Sequence, residues 1–300
     1  MWFKQLSFYP ISKGKTPEQH TLQKALNDAA FAPCQGLEWF SEGFVAPVDT
    51  RPEELAFVVQ HSVQVALKKE EKVLPSGVIN DVLNDKIFHI EQEEARNVGR
   101  KEKQALKEQI TDDLLPRAFT RSGRTQALFD AKRDFLLINQ STPNKAEGML
   151  SKLRQCLGGL EAALPKTQMS VSTLMTTWLN QKEAAGNFVL DSDCELKGVG
   201  EAAATVRVSK QDLTADEIRA HLDNKTVTQL GLIWDDKIRF VLTQDFAFKR
   251  IQFLDVLQEE ASNEGEDKET LIAASQIIMC ESLGQMIEEL LSHLGGLETK

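Results

Sequence analysis

The sequence predicts an α+β fold: mixed antiparallel sheets with a projecting long-helix region. Three observations lead there. Runs of alternating apolar and polar residues recur near the start, in the middle and in the second half, as half-buried strands require. From Pro75 to about Leu115 that texture gives way to charges and to apolar residues at helical spacing. A last long segment, 269–294, sets Ile272, Met279, Leu283, Met286, Leu290 and Leu294 on one helical face.

Taken in order, Trp2, Lys4, Leu6 and Phe8 alternate with Phe3, Gln5 and Ser7, which predicts a first strand over 2–9. Thr16, Pro17 and Gln19 supply an N-cap, a proline at the first helical position and a capping-box glutamine for a helix over 16–30. Strands near 38–47 and 62–68 flank a short helix expected at 51–60, opened by Thr50, Arg51 and Pro52. Val78, Val82 and Lys86, with Ile79, Leu83, Ile87 and Ile90, then predict one long helix or a pair. Two strands follow in 125–140, turning near Lys132, Arg133 and Asp134. A helix over 142–158 ends at Gly158, and another covers 169–180. The stretch 186–244 is strand-rich, with Asp235 and Asp236 as a hairpin turn between apolar runs. "EEASNEGEDKE", 259–269, predicts a solvated loop, and Gly295-Gly296 closes the last helix. The expected organisation is a central α+β part (1–74 and 117–180), an inserted helical tip (75–116), and a strand-rich base with a C-terminal helix (181–300).

Composition bounds the rest. Three hundred residues at 41% hydrophobic can bury one large core or two modest ones. Nothing approaches eighteen consecutive apolar residues, and "MWFKQLSFYP" has no long apolar run, so neither a membrane span nor a secretory signal is expected. The four cysteines, 34, 156, 194 and 280, form no CxxC pair; disulfides, a metal centre and a cofactor are not expected, and a reducing cytoplasm is. The net charge of −10 is unevenly spread, because residues 251–300 hold eleven acids against two lysines. The remainder is close to neutral, with local basic clusters.

Catalytic motifs are weak. "SKGKT" (12–16) lacks the glycine that a phosphate-binding loop needs, since Tyr9 stands at that position. "GVGEAA" (198–203) is followed by a strand-like run and reads as a turn. The five histidines, 20, 61, 89, 221 and 293, show no HExxH or HxH spacing. Asp191, Asp193 and Glu195 could serve a metal-dependent nuclease if they converged with other acids; adjacent acids in a turn are more often simply solvated.

The basic residues offer more. On a continuous helix Arg96, Arg100, Lys103 and Lys107 fall at about 0°, 40°, 340° and 20°, a narrow stripe whose self-repulsion is relieved by an anion lying opposite. Gly99 would interrupt that helix, and Glu102 and Glu108 would partly compensate it, so a solvated helix face is the plain alternative. Lys101 adds to the run. Lys68, Lys69 and Lys72 precede the helical region, and Arg117, Arg121, Arg124, Lys132 and Arg133 follow it. Several spaced cations suit a phosphate backbone. No ladder of aromatics for stacking on single strands and no base-reading motif is apparent, which leaves backbone contact to a duplex with little sequence information.

"MWFKQLSFYPIS" at the start, "KKEEKVLPSGVI" (68–79), "LLPRAFTR" (114–121), "KQDLTADEI" (210–218) and the closing "GLETK" resemble RdgC, a family of bacterial recombination-associated nucleoid proteins. The resemblance implies a non-catalytic homodimer closed into a ring around duplex DNA, without sequence preference. Single strands would be a second substrate. A RecA-type recombinase would be restrained indirectly, through occupancy of the DNA, with no membrane involved. It further implies that the cations above line the ring, that Phe119 sits at a subunit contact that shuts it, and that Lys210 and Gln211 lie near that contact. An ordinary core position for Phe119 remains open at this point. So does a protein-interaction scaffold built on the acidic C-terminal helix.

Overall fold

A computed structural model describes residues 2–198, 200, 203–263 and 267–298. In chain order the elements are β1 (Leu6–Pro10), α1 (Gln19–Asp28), β2 (Phe40–Val45), β3 (Ala56–Val59), β4 (Ser62–Val73), α2 (Ser76–Glu94), α3 (Arg100–Leu114), β5 (Phe119–Asp130) and β6 (Phe135–Ile138). There follow α4 (Pro143–Leu157), α5 (Val171–Gln181), β7 (Phe188–Gly198), β8 (Thr205–Val208), α6 (Asp216–Arg219), β9 (Lys225–Trp234), β10 (Ile238–Thr243), β11 (Ala247–Phe253), α7 (Asp255–Asn263) and α8 (Lys268–His293). The α+β class read from the sequence is what the chain adopts. The chain divides into two compact units: unit 1 is Met1–Asp28, Ala46–Val65 and Thr125–Lys300, and unit 2 is Ala29–Val45 and Ala66–Arg124.

Unit 1 is built on antiparallel strands. β1 pairs with β6 on one side (Phe8 opposite Leu137) and with β11 on the other (Leu6 opposite Phe248). The order continues through β10, β9 and β7 to β8. Inward-facing Phe8, Leu128, Leu137, Leu232, Phe240 and Phe248 share one core with Phe3, with Trp178 of α5 and with the expected face of α8. Five of the six α8 positions named from the sequence (Met279, Leu283, Met286, Leu290 and Leu294) are buried. At ~1.5–3 kcal/mol for each fully buried large side chain, that face alone is a major source of unit 1's stability. α8 is long and apolar enough to cross a bilayer by length and composition only; half of its most apolar stretch is buried inside the fold, as in a core helix. Its N-terminus is capped by Asp267, whose carboxylate accepts from the Glu269 and Thr270 amides.

Several expectations hold in detail. Gly158 ends α4 in the left-handed region, and Asp235 and Asp236, both at φ 49°, turn the β9–β10 hairpin. Others are corrected. The helix expected at 51–60 is instead β3: a two-residue connection, Gln60-His61, joins it to β4 with Val59 opposite Ser62. The run Leu55–Val59 buries Ala56 and Phe57 better as a strand than any helix capped by Thr50 would. The loop expected at 259–269 is half helix, because Leu257 and Ala261, one turn apart in α7, are both buried. β11, missed from the sequence, alternates buried and exposed positions as strand Ala247–Phe253. The 198–203 turn lies partly outside the described residues.

Unit 2 contains β2, which pairs with β4 from Phe40 opposite Glu71 to Val45 opposite Ala66, and the helices α2 and α3. Gly43 in β2 has a specific reason: a Cβ there would lie 2.4 Å from the Phe31 Cα, where residues 29–31 cross and exchange backbone hydrogen bonds with Phe44. The helical stretch is a pair, not one rod. α2 stops at Ala95, in the left-handed region, and α3 starts after Gly99 as its N-cap.

Candidate nucleic-acid interface

Eleven of the thirteen residues named as DNA contacts fall in unit 2; Lys210 and Gln211 belong to unit 1. Within unit 2 they sort into three groups by what surrounds them.

Arg96 forms the first. It sits in the connector between α2 and α3, not on a helix, so the four-residue stripe read from the sequence is corrected to Arg100, Lys103 and Lys107 on α3. The break follows from Val98, which is buried and whose amide donates to Glu91 Oε1 at 3.0 Å. The Arg96 guanidinium meets both Glu102 oxygens at 2.7 Å and Glu94 at 2.6 Å. Those hydrogen bonds, Glu102 first, raise its pKa still further, while Arg96 holds the Glu102 carboxyl below its ordinary range. Such a bidentate pair fixes the helix–helix connector.

The second group lies on β4. Lys68 Nζ stands 4.1 Å over the Phe31 ring and 3.9 Å from Glu70. Lys69 Nζ stands 4.8 Å over Phe40 and 2.6 Å from Glu71. Aromatic faces and neighbouring carboxylates hold both ammonium groups. Lys72 is half-buried, and its amide donates to the Trp39 carbonyl at 2.8 Å.

The third group is the open one. Arg100, Lys101, Lys103, Lys107, Arg117 and Arg121 have no ion-pair partner among the described residues, and all but the half-buried Lys107 are exposed. On α3 the Arg100, Lys103 and Lys107 side chains span about 60° of the helix circumference, so each feels like charge at i+3 or i+4, at a cost of a few tenths of a kcal/mol per pair. Arg117 follows in a 3₁₀ turn, Leu115–Arg117. β5 then opens on Phe119, 87% exposed, with Arg121 two residues along the same strand and so on the same face. A core position for Phe119 is thereby overturned: the most exposed large apolar side chain described stands two residues from Arg117 and two from Arg121 along the chain. Arg124, further along β5, is exposed but engaged, and so stands outside this open group.

Lys132 and Arg133, added to the basic cluster from the sequence, are corrected. Arg133 is buried in unit 1 and bonds Asp130, Glu281 and Glu288 at 2.8–2.9 Å, while Lys132 pairs with Glu281 at 3.0 Å. In the same unit Lys210 and Gln211 are exposed, their amides donating to Asp193 Oδ1 and the Ser192 carbonyl. An open cavity of about 450 Å³ beside them is lined mostly by polar residues, Asp191, Ser192, Asp212 and Thr214 among them, with Leu190 and Leu213 as its apolar members.

Sequence reasoning missed exposed aromatics. Trp39 and Phe40 are 48% and 55% exposed at the start of β2, a strand whose Glu-Trp-Phe-Ser beginning offered alternation as its only signal. The acids considered for metal catalysis are each met by an arginine: Asp191 by Arg239 (3.3 Å), Asp193 by Arg250 (2.9 Å) and Glu195 by Arg207 (2.7 Å). The GKT segment is likewise occupied from within, since Asp134 accepts from the Gly14 amide and the Thr16 hydroxyl.

Comparison with known proteins decides the relationship. A family model described as "Putative exonuclease, RdgC" matches residues 1–297. The chain belongs to the RdgC family. Relatives named recombination-associated protein RdgC include one from Neisseria meningitidis serogroup C, 61% identical over 297 residues covering 99% of both chains. One from Laribacter hongkongensis is 48% identical over the same span. Another, from Pseudomonas syringae, is 38% identical over 301 residues covering 99% of this chain and 98% of its own. Matching from end to end, these RdgC relatives cover both units and every residue of the open basic group.

Proposed function

We propose that this RdgC-family chain acts in DNA recombination as a non-catalytic, non-sequence-specific duplex-binding protein, two copies closing into a ring around the helix. By occupying DNA it would restrain a RecA-type recombinase in the nucleoid of the cytoplasm, single strands being a second ligand. The carrying observation is the open group of unit 2: six cations with no ion-pair partner among the described residues, four on α3 and two, Arg117 and Arg121, flanking in sequence an aromatic that is 87% exposed. Cations left without carboxylates keep their charge available to phosphate, and several together give affinity without base readout. Phe119 supports the self-contact, because burying a phenylalanine against a second copy is worth ~1.5–3 kcal/mol that the isolated chain forgoes. The open, mostly polar cavity beside Lys210 and Gln211 offers Leu190 and Leu213 as its apolar contacts for such a side chain. Arg96, Lys68 and Lys69, already engaged, would contribute less than Arg100, Lys103 or Arg121.

The test pairs sizing with duplex binding in rising salt. A dimer whose log affinity falls with log salt at about 0.9 per phosphate neutralised is expected. A monomer, or binding indifferent to salt, overturns the reading.

A second reading, a metal-dependent nuclease, draws on the words of the family description. The arginines facing Asp191, Asp193 and Glu195 weigh against these acids as its metal ligands. Incubating DNA with magnesium or manganese decides it: cleavage abolished by Asp191→Ala would establish the nuclease.

A further inference from the structure

Three donors that are far apart in sequence converge in unit 1. His61 lies in the β3–β4 turn, Asp130 ends β5 and Cys280 sits midway along α8; a ring nitrogen of His61, an Asp130 oxygen and Cys280 Sγ all lie within 4.8 Å of one another. Asp130 and Cys280 are fully buried, and the His61 side chain is 24% exposed. The Nε2 atom itself is buried and makes no hydrogen bond. It is 4.0 Å from Asp130 Oδ1 and 2.8 Å from Glu281 Oε1, but off the line that an N–H donor would need.

The surroundings orient these donors. Arg133 takes Asp130 Oδ2 at 2.9 Å and Glu281 Oε2 at 2.8 Å, which leaves the other oxygen of each carboxylate on the histidine side. Lys132 donates to both Glu281 oxygens, at 3.0 and 3.1 Å, and its amide to Asp130 Oδ1 at 3.0 Å. Gly284 makes room for the guanidinium, since a Cβ there would lie 2.7 Å from Arg133 Nη1. The two turns are tied together by the Ala131 amide donating to the His61 carbonyl at 2.9 Å. Three carboxylates (Asp130, Glu281 and Glu288) face two cations (Lys132 and Arg133), so the pocket carries a surplus negative charge even with His61 and Cys280 neutral.

We propose that His61, Asp130 and Cys280 form a binding site for a divalent transition metal of the zinc class, with Glu281 beside them for the fourth position. A nitrogen, a sulfur and carboxylate oxygens suit Zn²⁺ and its spectroscopic substitute Co²⁺ better than Mg²⁺ or Ca²⁺, which take oxygen ligands. Arg133 supplies the outer hydrogen bonds that hold ligating carboxylates in place. Bound there, the ion fastens α8 to the two turns. The site is independent of DNA binding.

The test uses the full-length protein, freed of metal with a chelator and titrated with Co²⁺. A thiolate-to-cobalt charge-transfer band saturating at one ion per chain is expected. It should survive Cys34→Ser and Cys156→Ser, vanish in Cys280→Ser, and need at least about tenfold more cobalt in His61→Ala. Zn²⁺ should raise the unfolding temperature of the wild type and not of His61→Ala, a partly exposed turn variant whose fold circular dichroism can verify. No band in the wild type, the same band in Cys280→Ser, or equal zinc stabilisation of wild type and His61→Ala overturns the proposal.

Discussion

Unit 1 holds twenty-three Lys and Arg against thirty-two Asp and Glu, and its most deeply placed cation, Arg133, is enclosed by three carboxylates. Unit 2 holds twelve against thirteen, and eight of its twelve cations have no ion-pair partner among the described residues, against eleven of the twenty-three in the three-fold larger unit 1. Apolar surface divides the same way. Of twelve exposed large hydrophobics described, eight (Leu37, Trp39, Phe40, Val73, Val78, Val82, Phe88 and Phe119) belong to unit 2, which is about a quarter of the chain. A monomer that leaves both charge and apolar area unsatisfied in one small region gains nothing for its own stability there. On the function proposed above, the contrast would divide the work, with folding energy concentrated in unit 1 and intermolecular contact in unit 2.

That assignment can be broken first where the expected effect is largest. Arg133→Met in unit 1 leaves Asp130 buried without its partner and should cost about 3–5 kcal/mol in urea unfolding. A loss below about 1 kcal/mol would remove the network as a fastener of α8. In unit 2, Arg100→Ala with Lys103→Ala and Lys107→Ala should do the reverse. Stability should hold within about 0.5 kcal/mol, while the slope of log affinity against log salt should flatten by about 0.9 for each phosphate left unneutralised, equally for all duplex sequences. A stability loss comparable to that of Arg133→Met, or a sequence-selective loss of binding, would erase the distinction between the units.

Phe119→Ala sharpens the comparison further. An 87% exposed side chain contributes little to its own fold, so the melting temperature should be essentially unchanged. Sedimentation should show weaker self-association, and circular duplex should be retained less well through a high-salt wash. Unchanged mass and retention would sink the role of Phe119 in closure.

Much of this was legible in the sequence because it is local. The β9–β10 turn, the glycine end of α4, the apolar face of α8 and the helical character of 76–114 all follow from residues within a turn or two of one another. What was not legible depends on distant partners. Arg133 looks like Arg121 in sequence; only Glu281 and Glu288, some 150 residues on, make one a buried fastener, while the other has no ion-pair partner among the described residues. The stripe through Arg96 failed because a buried Val98 breaks the helix, a tertiary fact that outweighs periodicity. The exposure of Phe119 was undecidable from "LLPRAFTR", since the same motif fits a core position after a helix end. His61, Asp130 and Cys280 share no spacing at all.

The smallest expected effect concerns how unit 1 responds to acid. Glu289 of α8 accepts from the Asn187 amide at 2.7 Å, the Asn187 side chain at 3.1 Å and the Trp234 indole at 2.7 Å. Burial pushes its carboxyl up, but these hydrogen bonds, with the nearby His293, more than offset that, and its pKa lies below the ordinary glutamate value. A group whose folded pKa is depressed stabilises the fold above its unfolded pKa and loses that contribution as pH falls through the folded one. Stability followed by Trp234 fluorescence should therefore decline in the acid range below the ordinary glutamate pKa. Glu289→Gln, unable to ionise, should start lower at neutral pH and lose less over that window. An identical acid profile for the two proteins would place the pH sensitivity of unit 1 elsewhere among its paired carboxylates, with Glu281, also held below its ordinary value by Arg133 and Lys132 against the effect of burial, as the next residue to replace.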